Sequence, residues 1–140
     1  MARPGPEVQA LTDEDLELFR AKNFGHVSSL REDGSPHAVV VWIDEDGERI
    51  RFNSAEHAVK VKHLRRDPRV AVSVHSQEDP YKAVTVLGMA VITTDGAEEH
   101  IDQLTRKYMG MDRYPADWRE PGEVRVKIEV TPRSILRYGY

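Results

Sequence analysis

Ala38-Val39-Val40-Val41-Trp42-Ile43, then Asp44-Glu45-Asp46-Gly47, then Arg49-Ile50-Arg51-Phe52-Asn53 is the stretch that decides the fold. The six apolar residues are rich in β-branched side chains and predict a strand buried on both faces. The acidic tetrapeptide ending in glycine predicts a tight hairpin turn, and the alternation from Arg49 to Asn53 predicts the return strand. Upstream, residues 24–30 read as another strand, joined to the apolar run through a turn at Asp33-Gly34. The first half of the chain is therefore a β-meander.

Outward from that meander, helices and strands alternate. Thr12 is placed as an N-cap, with Asp13, Glu14 and Asp15 in a first turn whose dipole favours negative charge. Leu11 and Leu16 stand at the two positions of a hydrophobic staple, and Arg20 and Lys22 close this short helix. Ser54 is placed as the cap of a second helix carrying Ala58, Val61 and Leu64 and ended by Asp67-Pro68. Val70, Val72 and Val74 alternate as a strand. Residues 83–93 form a long strand with Gly88 at a bulge. Ala97, Ile101, Leu104 and Tyr108 lie on one stripe of a third helix. An irregular stretch over 110–122 precedes a strand with Val124, Val126, Ile128 and Val130, which Pro132 breaks before a last strand at 134–138. Six or seven mostly antiparallel strands with three helices suggest closure into a barrel, which removes exposed edges.

Length and composition bound the function. At 140 residues, 39% hydrophobic and 31% charged, the chain fits one folded domain over 11–140 behind a flexible arm at 1–10. The longest apolar run, residues 38–43, is far below the roughly 20 residues of a membrane helix, and the N-terminus has no apolar leader. The absence of cysteine excludes disulfides, a thiolate nucleophile and Cys-based metal sites. A cytoplasmic protein is expected. The net charge of −4 argues against a dedicated nucleic-acid binder. Within it, Lys60, Lys62, Arg65, Arg66 and Arg69 form a positive knot opposed only by Asp67, which is either a local anion site or a solvated helix face.

The usual catalytic motifs are missing. There is no G-x-x-x-x-G-K-[ST] phosphate loop, no G-x-G-x-x-G turn and no G-x-S-x-G elbow. The six histidines form neither H-x-H nor H-E-x-x-H, so they read as structural or solvent-facing and no metal site is expected. Asp44, Glu45 and Asp46 read as a solvated hairpin tip, and Glu98, Glu99 and Asp102 as the polar side of a helix. Tyr81, Tyr108, Tyr114 and Trp118 are scattered and show no stacking pattern. If the protein is an enzyme, a borrowed cofactor carries the chemistry.

Four segments in order carry a resemblance. They are Asp33-Gly34-Ser35-Pro36-His37 with the strand to Val41-Trp42; Phe52-Asn53-Ser54-Ala55-Glu56 with Lys60 and Leu64-Arg65-Arg66-Asp67-Pro68-Arg69-Val70; Asp79-Pro80-Tyr81 with Gly88; and His100-Ile101-Asp102-Gln103-Leu104 with Lys107-Tyr108-Met109-Gly110 and Arg113-Tyr114-Pro115. Together they resemble the pyridoxamine-phosphate-oxidase-like split β-barrel proteins, in the actinobacterial flavin/deazaflavin oxidoreductase branch B that uses coenzyme F420. The resemblance implies a mainly β split barrel of the FMN-binding type. It also implies a homodimer with cofactor sites at the subunit interface and a small-molecule substrate, without nucleic-acid or membrane partners.

The same resemblance assigns residues. Lys60, assisted by Lys62, falls where the family holds the cofactor phosphate, and His37, Val39, Val40 and Val41 fall beside the ring. For Val40 and Val41 the competing role is plain barrel core. Tyr81 matches an aromatic reaching in from the neighbouring subunit, and Asn53, Ser54 and Lys82 complete the implied cofactor-binding set. The chain departs from the pattern at Val40, Ala58 and Ala83, where relatives commonly have proline, arginine and an aromatic. The implied activity is hydride transfer from reduced F420 to a conjugated C=C or C=N group, with no catalytic side chain named. Alternatives are an FMN-dependent oxidoreductase of the same fold, or a carrier of deazaflavin or haem. Nucleic-acid binding through 60–69 fits the acidic total charge least.

Overall fold

The computed structural model describes residues 9–140. The expected arm at 1–10 lies mostly outside them, although Gln9 donates its N–H to the Pro132 carbonyl at 3.1 Å. The elements are α1 (Asp13–Arg20), β1 (Gly25–Leu30), β2 (Pro36–Val41), β3 (Ile43–Glu45), β4 (Ile50–Ala55), α2 (Val59–Arg66), β5 (Arg69–His75), β6 (Ala83–Thr93), α3 (Ala97–Met109) and β7 (Arg125–Tyr138). A single 3-10 turn at Ala116–Trp118 lies in the segment between α3 and β7.

All seven strands join one antiparallel sheet in the order β2-β1-β5-β6-β7-β4-β3. Its two edge strands, β2 and β3, are consecutive in the chain and separated by Trp42 alone. Two residues of chain span only about 7 Å. The far edges of the sheet must therefore meet at this corner, and the sheet is curled into a split barrel. Alternate residues from every strand fill it: Val27, Val41, Ile43, Ile50, Phe52, Val72, Val84, Val86, Val126 and Ile128 are buried together. Withdrawing each such side chain from water contributes roughly 1.5–3 kcal/mol.

The corner corrects the reading of 38–43 as one doubly buried strand. That run breaks at Trp42, and β2 alternates as an edge strand whose outer residues, Ala38 and Val40, are exposed. Ser54 does not cap α2. It is buried in β4 opposite Val126, and the cap is Ala58, which offers no side-chain bond. Ladder bonding to β7 holds Ser54 in extended backbone, so the helix begins later. Pro132 does not end its strand, because β7 runs straight through it. Proline is accommodated because the pairing of β6 and β7 shifts register there, at the bulge expected at Gly88. A β-carbon on Gly88 would lie 2.3 Å from the Thr131 carbonyl oxygen, so only glycine permits this crossing.

Helix α1 forms as expected, with a reciprocal capping box between Thr12 and Asp15. Asp15 is completely buried and ties the helix to the end of β7. Arg137 donates to it twice, at 2.8 and 2.7 Å, and the Tyr140 hydroxyl once, at 2.5 Å. Burial pushes the carboxyl up, but bonds from Arg137, Tyr140 and Thr12 outweigh it and hold its pKa at about 2. An unfolded aspartate titrates near ~3.9. The carboxylate's stabilisation is therefore present above that value and lost as pH falls toward the folded pKa. Denaturant melts of wild type and Asp15→Asn should differ most at about pH 5 and above, and the difference should shrink steadily as pH falls from about 4 through about 2. A gap independent of pH would contradict this role for Asp15.

Candidate functional site

Where the sheet edges meet, a cleft of about 330 Å³ opens beneath α2 and α3. Its walls are Val40 and Val41 from β2, Trp42 at the corner, Ile101 and Leu104 from α3, and Tyr114 and Trp118 from the following segment. Its polar groups are Asn53 from β4, Lys60 from the first turn of α2 and Arg125 at the start of β7. An apolar lining with a few convergent polar groups is the usual make-up of a small-molecule site.

The aromatic walls are held from behind. Trp42 stacks on Tyr108 of α3, with centroids 5.4 Å apart and planes 7° from parallel. The Tyr108 hydroxyl accepts from the Ile43 N–H at 3.1 Å and donates to the Asn23 carbonyl. Burial, opposed by the Ile43 bond and aided by Asp44, pushes this phenol up to about 12, so it stays protonated. Beside it, Lys107 donates to the Phe19 carbonyl at 2.7 Å, and burial brings its pKa down to about 8 against the opposing charges of Asp44 and Glu45. Asp102 accepts the Tyr114 N–H at 2.8 Å and fixes the start of the segment between α3 and β7. Tyr114 meets Trp118 edge-on, and the Arg125 guanidinium lies 5.1 Å from its ring centre.

Lys60 is the electrostatic centre of the cleft. It makes no ion pair among the described residues, and burial followed by the nearby Arg125 charge lowers its pKa. The rest of the positive knot is dispersed. Arg65 pairs with Glu56 at 2.9 Å, Arg69 with Asp67 at 2.7 Å, and Arg66 donates to the Leu30 carbonyl. Lys62 faces solvent.

Four of the expected site residues, Val40, Val41, Asn53 and Lys60, come together in this cleft. The others stand outside it. Val39 packs against the barrel core, and Ser54 is buried with its hydroxyl donating to the Ala55 carbonyl at 3.0 Å. His37 meets His63 edge-on at 5.1 Å, and its Nδ1 is buried without a hydrogen bond among the described residues. Tyr81 is 86% exposed, and Lys82 lies over the Tyr140 ring. Sequence reading missed Trp42, Ile101, Leu104, Tyr114, Trp118 and Arg125. Of the aromatics that looked scattered, Tyr114 and Trp118 line the cleft and Tyr108 backs it through Trp42, while Tyr81 stays apart. Asp44 is no solvated hairpin tip either: it lies in β3, bonded to His100 at 3.0 Å and to both prongs of Arg51.

The sequence pattern described as pyridoxamine 5'-phosphate oxidase matches residues 11–136. The chain belongs to that family. Among solved structures, one described as an F420 reductase is 30% identical, with a TM-score of 0.75 over 86% of this chain and 94% of its own. A conserved hypothetical protein from Mycobacterium tuberculosis is 18% identical, with a TM-score of 0.73 over 99% of this chain and 89% of its own. A Listeria innocua protein bearing the pyridoxamine 5'-phosphate oxidase name is 21% identical, with a TM-score of 0.63 over 81% and 86% of the two chains. The last two share the fold. Within the described residues, no helix is long and apolar enough to cross a membrane.

A half-buried ammonium facing another cation, with no carboxylate to balance it, opposes folding. Lys60→Met keeps the stem and removes the charge, and should raise stability by about 0.5–2 kcal/mol, as substitutions at ligand sites often do. Thermal melts of the ligand-free proteins check this. A lower melting temperature for the methionine variant would show that the Lys60 charge is already compensated.

Proposed function

We propose that the protein is an oxidoreductase that uses reduced coenzyme F420 to transfer a hydride to a conjugated, electrophilic small molecule. The observation that carries this reading is Lys60: an ammonium without an ion-pair partner among the described residues, lining an aromatic cleft, in a chain 30% identical to an F420 reductase. The residues fit the cofactor's chemistry. Lys60 and the first turn of α2, whose N-terminus has no side-chain cap, favour a phosphate. Val40, Val41, Trp42 and Leu104 offer flat apolar surfaces to a ring system and exclude water from it. When bound, reduced F420 supplies the hydride from its deazaflavin ring. The side chains of the cleft bind and orient; none stands out as the acid that supplies the balancing proton.

Separate titrations with F420, FMN and haem, followed by visible absorption, test the choice of cofactor. Tightest binding of F420 is expected, and preference for FMN or haem would overturn it. Removing a charge-assisted phosphate contact costs about 1.5–3 kcal/mol, so Lys60→Ala should weaken F420 binding roughly 10–150-fold. Unchanged affinity would place the phosphate elsewhere.

A homodimer accompanies this reading. The cleft's 330 Å³ lies at the small end of ligand sites, as suits a cavity that a second subunit completes. Exposed Tyr81, Leu136 and Tyr138, together with an outer groove of about 440 Å³ containing Leu30, Pro36, Leu87 and Met89, offer apolar surface to that copy. Sedimentation equilibrium at micromolar concentration should give the dimer mass. A monomer that still binds cofactor tightly would contradict this assembly.

A further inference from the structure

Arg125 is buried and held on two sides. Its Nε donates to Asn53 Oδ1 at 2.9 Å and its Nη1 to Glu123 Oε2 at 3.3 Å. Nη2 makes no hydrogen bond among the described residues, and the side chain lines the cleft alongside Lys60. A guanidinium fixed at one edge, with a free donor at the other, is suited to gripping an oxyanion.

What fixes it is a chain of oriented groups. Asn53 Nδ2 donates to the Ala97 carbonyl at 2.9 Å, while its Oδ1 takes the Arg125 bond. Flipping the amide would set donor against donor and carbonyl against carbonyl, so its orientation is determined. The same Nδ2 faces His100 Nδ1 at 3.1 Å, which makes that ring nitrogen an acceptor. The imidazole is therefore neutral with its proton on Nε2, donating to Asp44 Oδ1 at 3.0 Å. Arg51 clamps Asp44 with bonds of 3.0 and 2.8 Å. His100 and Asn53 are both buried, so the chain has few alternative partners.

We propose that Arg125 is the second anion-binding residue of the cleft, gripping the cofactor phosphate beside Lys60, and that Asp44 and His100 act through Asn53 as its positioning residues. This rests on the phosphorylated-cofactor reading given above.

The chain's two tryptophans, Trp42 and Trp118, both line the cleft, so their quenching reports binding directly. Wild type is titrated with F420 and with its phosphate-free deazaflavin core, and with FMN and riboflavin. In the pair that binds, the phosphorylated member should bind at least about 10-fold tighter. Arg125→Gln should erase about 10–100-fold of that preference while leaving affinity for the phosphate-free member within about twofold. Should Arg125→Gln not fold, Arg125→Lys, which keeps charge but loses the Asn53 bond, should still erase at least about fivefold. His100→Leu should erase part of the preference, and His100→Asn, which restores an acceptor toward Asn53, should recover most of it. In the Arg125→Gln background, His100→Leu should cause no further loss. A preference that survives the Arg125 substitutions overturns the proposal. So does an equal loss for both members of the pair in His100→Leu, which marks a merely structural role. If wild type shows no preference for phosphate in either pair, the phosphorylated-cofactor reading itself falls, and this proposal with it.

Discussion

One residue, Trp42, lies between the two edge strands of a seven-stranded sheet. Because peptide geometry leaves so little chain between Val41 and Ile43, the sheet is obliged to curl until its edges stand side by side. The barrel core follows from that constraint, since one face of every strand is turned inward. So does the cleft. Edges that meet at a corner without a ladder between them leave a gap, and α2, α3 and the segment before β7 wall it in. The indole at the corner is both joint and wall, and its stacking on Tyr108 ties the joint to α3.

Charge is distributed over this frame with a clear division. Where it stabilises the fold it is paired: Asp15 with Arg137, Asp44 with Arg51, Arg65 with Glu56 and Arg119 with Glu98. Lys60 departs from this pattern, half-buried and facing Arg125 rather than a carboxylate. A cation left without its counter-ion in a sheltered place is a cost to stability that an incoming anion removes.

Features set by neighbours in the chain were legible in the sequence. The α1 cap depends on Thr12 and Asp15, three residues apart, and β5 shows its inward valines by simple alternation. The Gly88 bulge was legible as a glycine within a strand pattern. Features decided by distant partners were not. Ser54 looked like a helix cap, but pairing with Val126 keeps it in a strand. Pro132 looked like a strand break, but the shifted register opposite Gly88 accommodates it. In the site, Asn53 and Lys60 were placed by the family resemblance, and for Lys60 the local run of positive charge pointed the same way. Arg125 and His100 reach Asn53 from 72 and 47 residues away, and no local pattern announces such a meeting. One signal was available: His100 falls on the buried stripe of α3 with Ala97, Ile101 and Leu104, where an imidazole requires polar partners.

The central claim is that the cleft at the sheet corner receives a phosphorylated deazaflavin with its phosphate at Lys60. A crystal structure of the protein grown with F420 tests it most directly. The account predicts phosphate density within hydrogen-bonding distance of Lys60 Nζ and a ring system against Val40, Val41 and Trp42. Cofactor density confined to another surface, such as the outer groove around Leu87 and Met89, with the cleft holding only solvent, would contradict it.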